Sequence, residues 1–319
     1  MPESDQIETI GGLAAVPIPR CNLGHTTPPQ HLWDKDGFGY FRCTECGLAW
    51  VSPQLTDESV AQIYASAFGD KLSTRQNPTS FAAYQSRLKL LKPYRRMNRL
   101  LDVGCFTGNF LLAARESGWE QVEGTEISQP AVEYARNERG LTVHHGDLTT
   151  LDLPHNAYDV VTLSDVIEHV SDPLATIRSV HKILRPGGAI YMDTPHFRSV
   201  PYFILRDQWS VFFPWHRTYF SVNNMRLALE EVGFTVKHIQ AVGVLPFNRF
   251  NAWRAYQSAH KIQPDSGLKN ASFIKRYKNV LRPLWLTFKS AQDAPFALLS
   301  RMGIHIGAKL VVYAEKRAE

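Results

Sequence analysis

Five short apolar runs, residues 99–103, 121–126, 141–146, 159–165 and 189–194, recur through the middle of this chain, with helical stretches near 108–117, 129–138 and 173–184. The runs are five to seven residues long and bounded by turn residues, which suits buried strands and is too short for core helices. Regular alternation of strand and helix makes successive strands parallel, because each helix carries the chain back over a face of the sheet. The expected fold class is therefore α/β, with a doubly wound sheet. The stretch 173–184 carries helix punctuation of its own: Ser171 or Asp172 can cap it, Pro173 suits its first turn, and "RPGG" ends it. A helix at 221–233, a strand at 235–243 and a last strand at 308–317 extend the pattern.

The first run leads into "LLDVGCFTGNF", residues 100–110. In a doubly wound sheet, ligands bind beyond the strand ends, and the first strand–helix turn is the usual contact. A dinucleotide pyrophosphate needs glycine at the first, third and sixth positions of that turn. Counted from Gly104, the latter two are Phe106 and Asn109, whose side chains obstruct such an approach. No GxxxxGK[ST] loop for nucleotide phosphates occurs either. Asp102, just ahead of the turn, repels phosphate and suits a cation. Glu126 closes the second run, where an acid can accept both ribose hydroxyls. Asp147, in "HHGDL", is placed for an exocyclic amine, and Ser164 and Asp165 end the fourth run. Acids at four successive strand ends describe a site for adenosine with a positively charged, phosphate-free tail. S-adenosylmethionine is such a molecule.

Residues 98–243 resemble a class I S-adenosylmethionine-dependent methyltransferase, through "LDVGCFTGNF", "VEGTEIS", "HHGDL", "YDVVTLSDVIEHVSDP" and "ILRPGGAIYMDTP" in family order. The resemblance implies a Rossmann-like sheet. It implies that Asp102, Gly104 and Gly108, with Cys105, hold the methionine end, that Glu126 with Ile127 holds the ribose, and Asp147 with Leu148 the adenine. Ser164 and Asp165 would border the sulfonium. Phe106 departs from the pattern: the family usually has glycine there, so a glycine-favouring backbone angle would be strained.

Of the four cysteines, three cluster near the N-terminus and Cys105 lies in the glycine turn, too uneven a distribution for a disulfide framework. "CNLGH" (Cys21, His25) and "CTEC" (Cys43, Cys46) form two chelating pairs separated by 17 residues, close to structural zinc spacing. His31 competes with His25 as fourth ligand. The segment resembles the N-terminal zinc module ahead of some bacterial sugar-modifying methyltransferases, which usually have cysteine at the position of His25.

For chemistry, "DVIEH" places Asp165, Glu168 and His169 on one face if the segment turns helical. His196 and His216 fall on the same strand-end rim. His169, His216 and Glu168 are the candidate catalytic residues. Either His169 or His216 acts as general base, or Asp165, Glu168, His169 and His216 hold a divalent metal that orients vicinal oxygens. The second grouping resembles ubiquinone-pathway and small-RNA 2′-O-methyltransferases, with Asp165 where those tend to have glutamate.

The net charge of +5 is local: residues 247–292 hold nine Lys or Arg against Asp265 alone. Aromatics interleave with these bases, which suits a membrane surface, a phosphorylated substrate or a helical lid packed on the core. Nucleic acid is disfavoured, because the cysteine segment has no basic stripe. The polar, acidic first residues read as neither a signal nor a transit peptide, so the expected location is cytoplasmic, peripheral on the inner membrane face if 247–292 binds lipid.

The expected organisation is a mobile N-terminus over 1–20, a zinc-binding module over 21–55 and a helical linker or cap over 56–97. A catalytic domain spans 98–243, a basic aromatic helical insertion 244–307, and the final strand 308–319. The expected activity is methyl transfer from S-adenosylmethionine to a small-molecule acceptor, a hydroxyl of a sugar or glycan precursor. The alternatives are a quinone-like membrane-borne phenol, a non-catalytic cofactor-binding scaffold, or an RNA-binding protein.

Overall fold

The computed structural model describes residues 7–68, 78–243 and 293–318. Strands β1 (Glu8–Ile10), β2 (Leu13–Val16), β3 (Gln30–Lys35), β4 (Phe38–Arg42), β5 (Ala49–Ser52) and β6 (Gln54–Leu55) come first, then helices α1 (Asp57–Phe68) and α2 (Pro78–Leu91). The alternating region follows as β7 (Arg99–Val103), α3 (Asn109–Glu116), β8 (Gln121–Glu126), α4 (Gln129–Asn137), β9 (Thr142–His145), β10 (Tyr158–Ser164), α5 (Pro173–Ile183) and β11 (Leu184–Pro195). The remaining elements are α6 (Val200–Leu205), β12 (Thr218–Tyr219), α7 (Val222–Val232), β13 (Phe234–Val242), α8 (Asp293–Arg301) and β14 (Lys309–Lys316).

Seven strands form the main sheet in the order β13-β14-β11-β10-β7-β8-β9. The chain winds outward from β7 to β9 and then returns to the other side of β7 as β10, so the switch in strand order lies between β7 and β10. Only β14 runs antiparallel, between β11 and β13. β10 is buried along nearly its whole length, as a strand covered on both faces must be. The helices start where capping chemistry allows. Asp172 accepts the Ala175 N–H ahead of α5, and Ser221 forms a capping box with Asn224 ahead of α7.

Two small antiparallel sheets, β12-β5-β4-β3 and β1-β2-β6, lie at the N-terminal side. The expectation of a mobile N-terminus through residue 20 is corrected over 8–16. There β1 and β2 pair with each other, and Leu13 and Ala15 are buried in one aromatic core with Phe38, Tyr40, Phe212 and Tyr219. That core also revises the expected boundary at 98: residues 209–219, inside the catalytic stretch, complete the N-terminal structure, with β12 pairing to β5. Of the expected insertion 244–307, residues 244–292 lie outside the described residues, and α8 with its following turn is what is seen. Among the described residues no helix is long and apolar enough to cross a membrane.

Candidate active site

A cavity of about 560 Å³ lies at the carboxyl ends of β7, β8 and β10. Gly104 from the first turn, Glu126 and Ile127 from the end of β8, and Asp147 and Leu148 after β9 line it. Ser164 and Asp165 from the end of β10 join them. Asp102, Cys105 and Gly108 do not reach this surface. Cys105 packs against Gly124. Gly108 sits at the N-cap of α3 with φ +79°, and Leu141 fills the place a Cβ would need.

The turn itself is held from below. Gly104 has φ +67°, and a Cβ there would meet Val166 at 2.7 Å. Phe106, at φ +49°, occupies the left-handed region that its sequence position suggested, a conformation costing a non-glycine residue about 1–3 kcal/mol. Glu126 offsets that cost: its buried carboxylate accepts the Phe106 N–H at 2.8 Å and the Ser128 N–H at 2.8 Å. Burial pushes the Glu126 carboxyl up, against the pull of these two donors. Glu126→Ala leaves both N–H groups without their partner, each worth about 1–3 kcal/mol. S-adenosylmethionine affinity should fall by about 10–100-fold in a calorimetric titration, and unchanged affinity would show that the carboxylate does not shape the site.

Asp102 stands behind the turn, fully buried, with its Oδ1 accepting the Thr162 hydroxyl at 2.5 Å. Burial pushes its carboxyl up to about 7, although Arg87 and Thr162 oppose the shift. A folded-state value above the unfolded one means that the folded protein binds the proton more tightly. Stability is therefore lost as pH rises from about 4 through 7. Asp102→Asn should melt higher than the parent at pH 8 and alike at pH 4 in the absence of ligand. A pH-independent difference would assign the effect to packing.

Beside Asp102, Arg87 from α2 contacts Asp193 of β11 at 2.7 Å, and the Ser164 hydroxyl donates to the same carboxylate at 3.0 Å. Lys309 of β14 lies 2.5 Å from Asp193 and 3.3 Å from Asp165. Arg87, Asp193 and Lys309 were not singled out from the sequence, because their partners come from segments far apart along it.

After β10, "IEH" forms a turn rather than a helix, closed by the His169 N–H on the Val166 carbonyl at 2.8 Å. Glu168 and His216 are buried, and His169 lines the cavity. Glu168 Oε1 lies 4.0 Å from His169 Nε2 and 3.9 Å from His216 Nε2, and one ligand atom from each of the three residues falls within 4.8 Å of the others. Trp215 O, an acceptor only, lies 2.9 Å from His169 Nδ1, so Nδ1 carries the proton and Nε2 keeps its lone pair for a proton or a cation. Asp165 does not join this group. With φ +53° it turns to Lys309 instead. His196 also stays out: it bonds the Gly307 carbonyl at 2.9 Å, and burial lowers it to about 4.

The cysteine cluster closes on itself. Ligand atoms of Cys21, His25, Cys43 and Cys46 lie within 4.8 Å of one another, with Cys21 Sγ 3.6 Å from both His25 Nδ1 and Cys46 Sγ. Tetrahedral zinc–sulfur bonds of about 2.3 Å place sulfurs roughly 3.8 Å apart, so donor set and spacing fit a closed zinc site. The N–H groups of Leu23 and Leu48 point at Cys21 and Cys46 at 3.4 and 3.5 Å, stabilising thiolate charge. His31 stands apart, 3.0 Å from Asp34.

Comparison with known proteins agrees with this geometry. Residues 74–239, more than half of the chain, match a family described as a methyltransferase domain. The ubiquinone biosynthesis O-methyltransferase of Haemophilus ducreyi is 35% identical over 106 residues, 30% of this chain and 44% of that protein. An uncharacterised 37.1 kDa protein in transposon TN4556 of Streptomyces fradiae is 33% identical over 148 residues, 44% of this chain and 43% of its own length. This chain thus spans less than half the length of these curated relatives. A solved S-adenosylmethionine-dependent methyltransferase from Mesorhizobium loti covers 72% of this chain and 96% of its own at 20% identity, with a TM-score of 0.45. With a family match across more than half its length, and a cavity at the switch point of a seven-stranded sheet, the chain belongs to the methyltransferase-domain family.

Proposed function

We propose that the protein methylates a hydroxyl of a small-molecule acceptor, a sugar or glycan precursor ahead of a quinone-like phenol. The observation that carries the choice of oxygen is the Glu168–His169–His216 group, one member of which lines the cavity. Methyl transfer is an in-line displacement at a sulfonium, and a hydroxyl must be aligned and lose its proton. His169 Nε2, held in one tautomer by Trp215, can take that proton, and Glu168 stabilises the imidazolium that results. The same three residues would hold a divalent cation, which would supply orientation of vicinal oxygens and a lowered hydroxyl pKa. Glu126 with Ile127, Asp147 with Leu148, and Gly104 with Ser164 and Asp165 line the part of the cavity assigned to the ribose, adenine and methionine ends of the cofactor.

Cys21, His25, Cys43 and Cys46 hold a structural zinc in this reading. A surface role for 247–292 belongs to the phenol alternative and lies outside the described residues.

The deciding experiment follows labelled methyl from S-adenosylmethionine into cell extract separated into polar, lipid and nucleic-acid pools. Label in the polar pool is expected. Label in lipid would favour the membrane-borne phenol, label in nucleic acid would replace the small-molecule reading, and no label in any pool would support a non-catalytic scaffold.

A further inference from the structure

Five carboxylates line the cavity, from Asp57, Glu58, Glu126, Asp147 and Asp165, and Arg217 is the one guanidinium or ammonium among its described lining residues. An acidic cavity suits the cationic cofactor, so a cation buried in its wall needs another explanation. Arg217 is firmly fixed. Its backbone N–H donates to the Glu168 carbonyl at 2.7 Å, and its own carbonyl accepts the Val51 N–H at 3.1 Å and Gln54 Nε2 at 3.2 Å. Its Nη2 donates to the Leu55 carbonyl at 2.7 Å and lies 2.6 Å from Asp57 Oδ1.

The two members of that ion pair differ in their setting. The Arg217 side chain is 3% exposed, while that of Asp57 is 73% exposed. A buried charge needs a close counter-charge, and a carboxylate that remains in water is a weak one. Asp57 also stands in the first turn of α1, where the helix N-terminus favours an acid without any help from Arg217. Arg217 Nε is buried with no hydrogen-bond partner. The wall of the cavity therefore holds a fixed guanidinium with a replaceable counter-ion.

Resting on the reading of this cavity as the site of O-methyl transfer, we propose that Arg217 docks an anionic group of the acceptor, a carboxylate or a phosphate, which takes the place of Asp57. The acceptor is then a hydroxylated acid or a phosphorylated hydroxy compound. Its neutral analogue lacks the group that a forked guanidinium recognises. Arg217 directly follows His216 and is hydrogen-bonded to Glu168. The anion and the reacting hydroxyl are thereby held at a separation set by adjacent residues.

The test uses the full chain saturated with S-adenosylhomocysteine and titrates inorganic phosphate and benzoate separately by calorimetry. Saturable binding of one of them is expected, and which one binds distinguishes phosphate from carboxylate. Asp57→Ala should tighten that binding about tenfold, because the competing carboxylate is gone, and Arg217→Gln should weaken it at least about tenfold. Asp57 is exposed, so its variant carries the test even if Arg217→Gln fails to fold, which a thermal melt reports. Absence of anion binding to both parent and Asp57→Ala would overturn the proposal, as would equal affinity in those two proteins. Loss of S-adenosylhomocysteine binding in a folded Arg217→Gln would assign the guanidinium to the cofactor's own carboxylate, and would overturn it as well. Binding is read without turnover. An anion that binds as described while no hydroxyl is methylated would sink the O-transfer reading and leave the Arg217 subsite standing.

Discussion

Glu168→Gln is expected to lower methyl transfer by about 10²–10⁴-fold, the usual range for losing a positioned acid–base group, with S-adenosylhomocysteine affinity unchanged. Glutamine keeps the shape of the side chain and can keep the bond from the Thr194 hydroxyl, which Glu168 Oε2 accepts at 3.0 Å. What it removes is the negative charge facing the imidazoles of His169 and His216 at 4.0 and 3.9 Å. If the group holds a divalent cation, added metal at millimolar concentration should restore part of the activity, and a chelator should silence the parent. If His169 acts as a base, metal changes nothing, and the lower limb of the pH–rate profile moves to lower pH once the carboxylate no longer favours imidazolium. Activity within about threefold of the parent would remove the cluster from the chemistry.

The second large effect is on stability. Cys43→Ala is expected to abolish zinc binding and lower the melting temperature by more than about 5 °C. Structural zinc supplies on the order of 10 kcal/mol to folding where ligands are otherwise unordered, and losing about 5 kcal/mol of it moves the melting point of a chain this size by roughly 7 °C. The damage should not stay local. Cys43 closes the hairpin between β4 and β5, and β5 pairs with β12 at Trp50–Thr218 and Ala49–Tyr219. The residues immediately before β12 are His216 and Arg217, so a loosened β5 unclamps the wall of the cavity. His31→Ala is the control, because His31 bonds Asp34 and takes no part in the cluster. Elemental analysis finding no zinc in the parent, together with an unshifted melt for Cys43→Ala, would remove the metal from the account.

Much of the main sheet was legible because its signals are local. A five-to-seven-residue apolar run announces a strand without reference to anything distant, and Ser171 or Asp172 with Pro173 announces the start of α5 within a few residues. Phe106 was legible for the same reason, since the turn's backbone angle depends on its own few residues. The N-terminal structure was less legible. β1 and β2 have three and four residues, too few to show a period, and the partner that completes the β5 sheet lies 168 residues on from Trp50. Asp165 looked like a metal ligand because "DVIEH" is contiguous. Its partner Lys309 is 144 residues away, and no window of sequence joins them. Asp102 was placed against the cofactor by its motif, whereas its depth behind the turn follows from the packing of β7 between β8 and β10.

The place of β14 has a consequence for how the molecule is made. This strand lies between β11 and β13, and β13 has no other neighbour in the main sheet. A ribosome that has released residues up to 243 has therefore delivered six of the seven strands yet can assemble only five of them contiguously. Until residues 309–316 emerge, β11 presents an open edge that includes Asp193, and β13 waits without a ladder partner. Unpaired edges of this kind recruit other strands. The nascent chain should therefore be a better client for chaperones, and more prone to aggregate, in this window than at any earlier length.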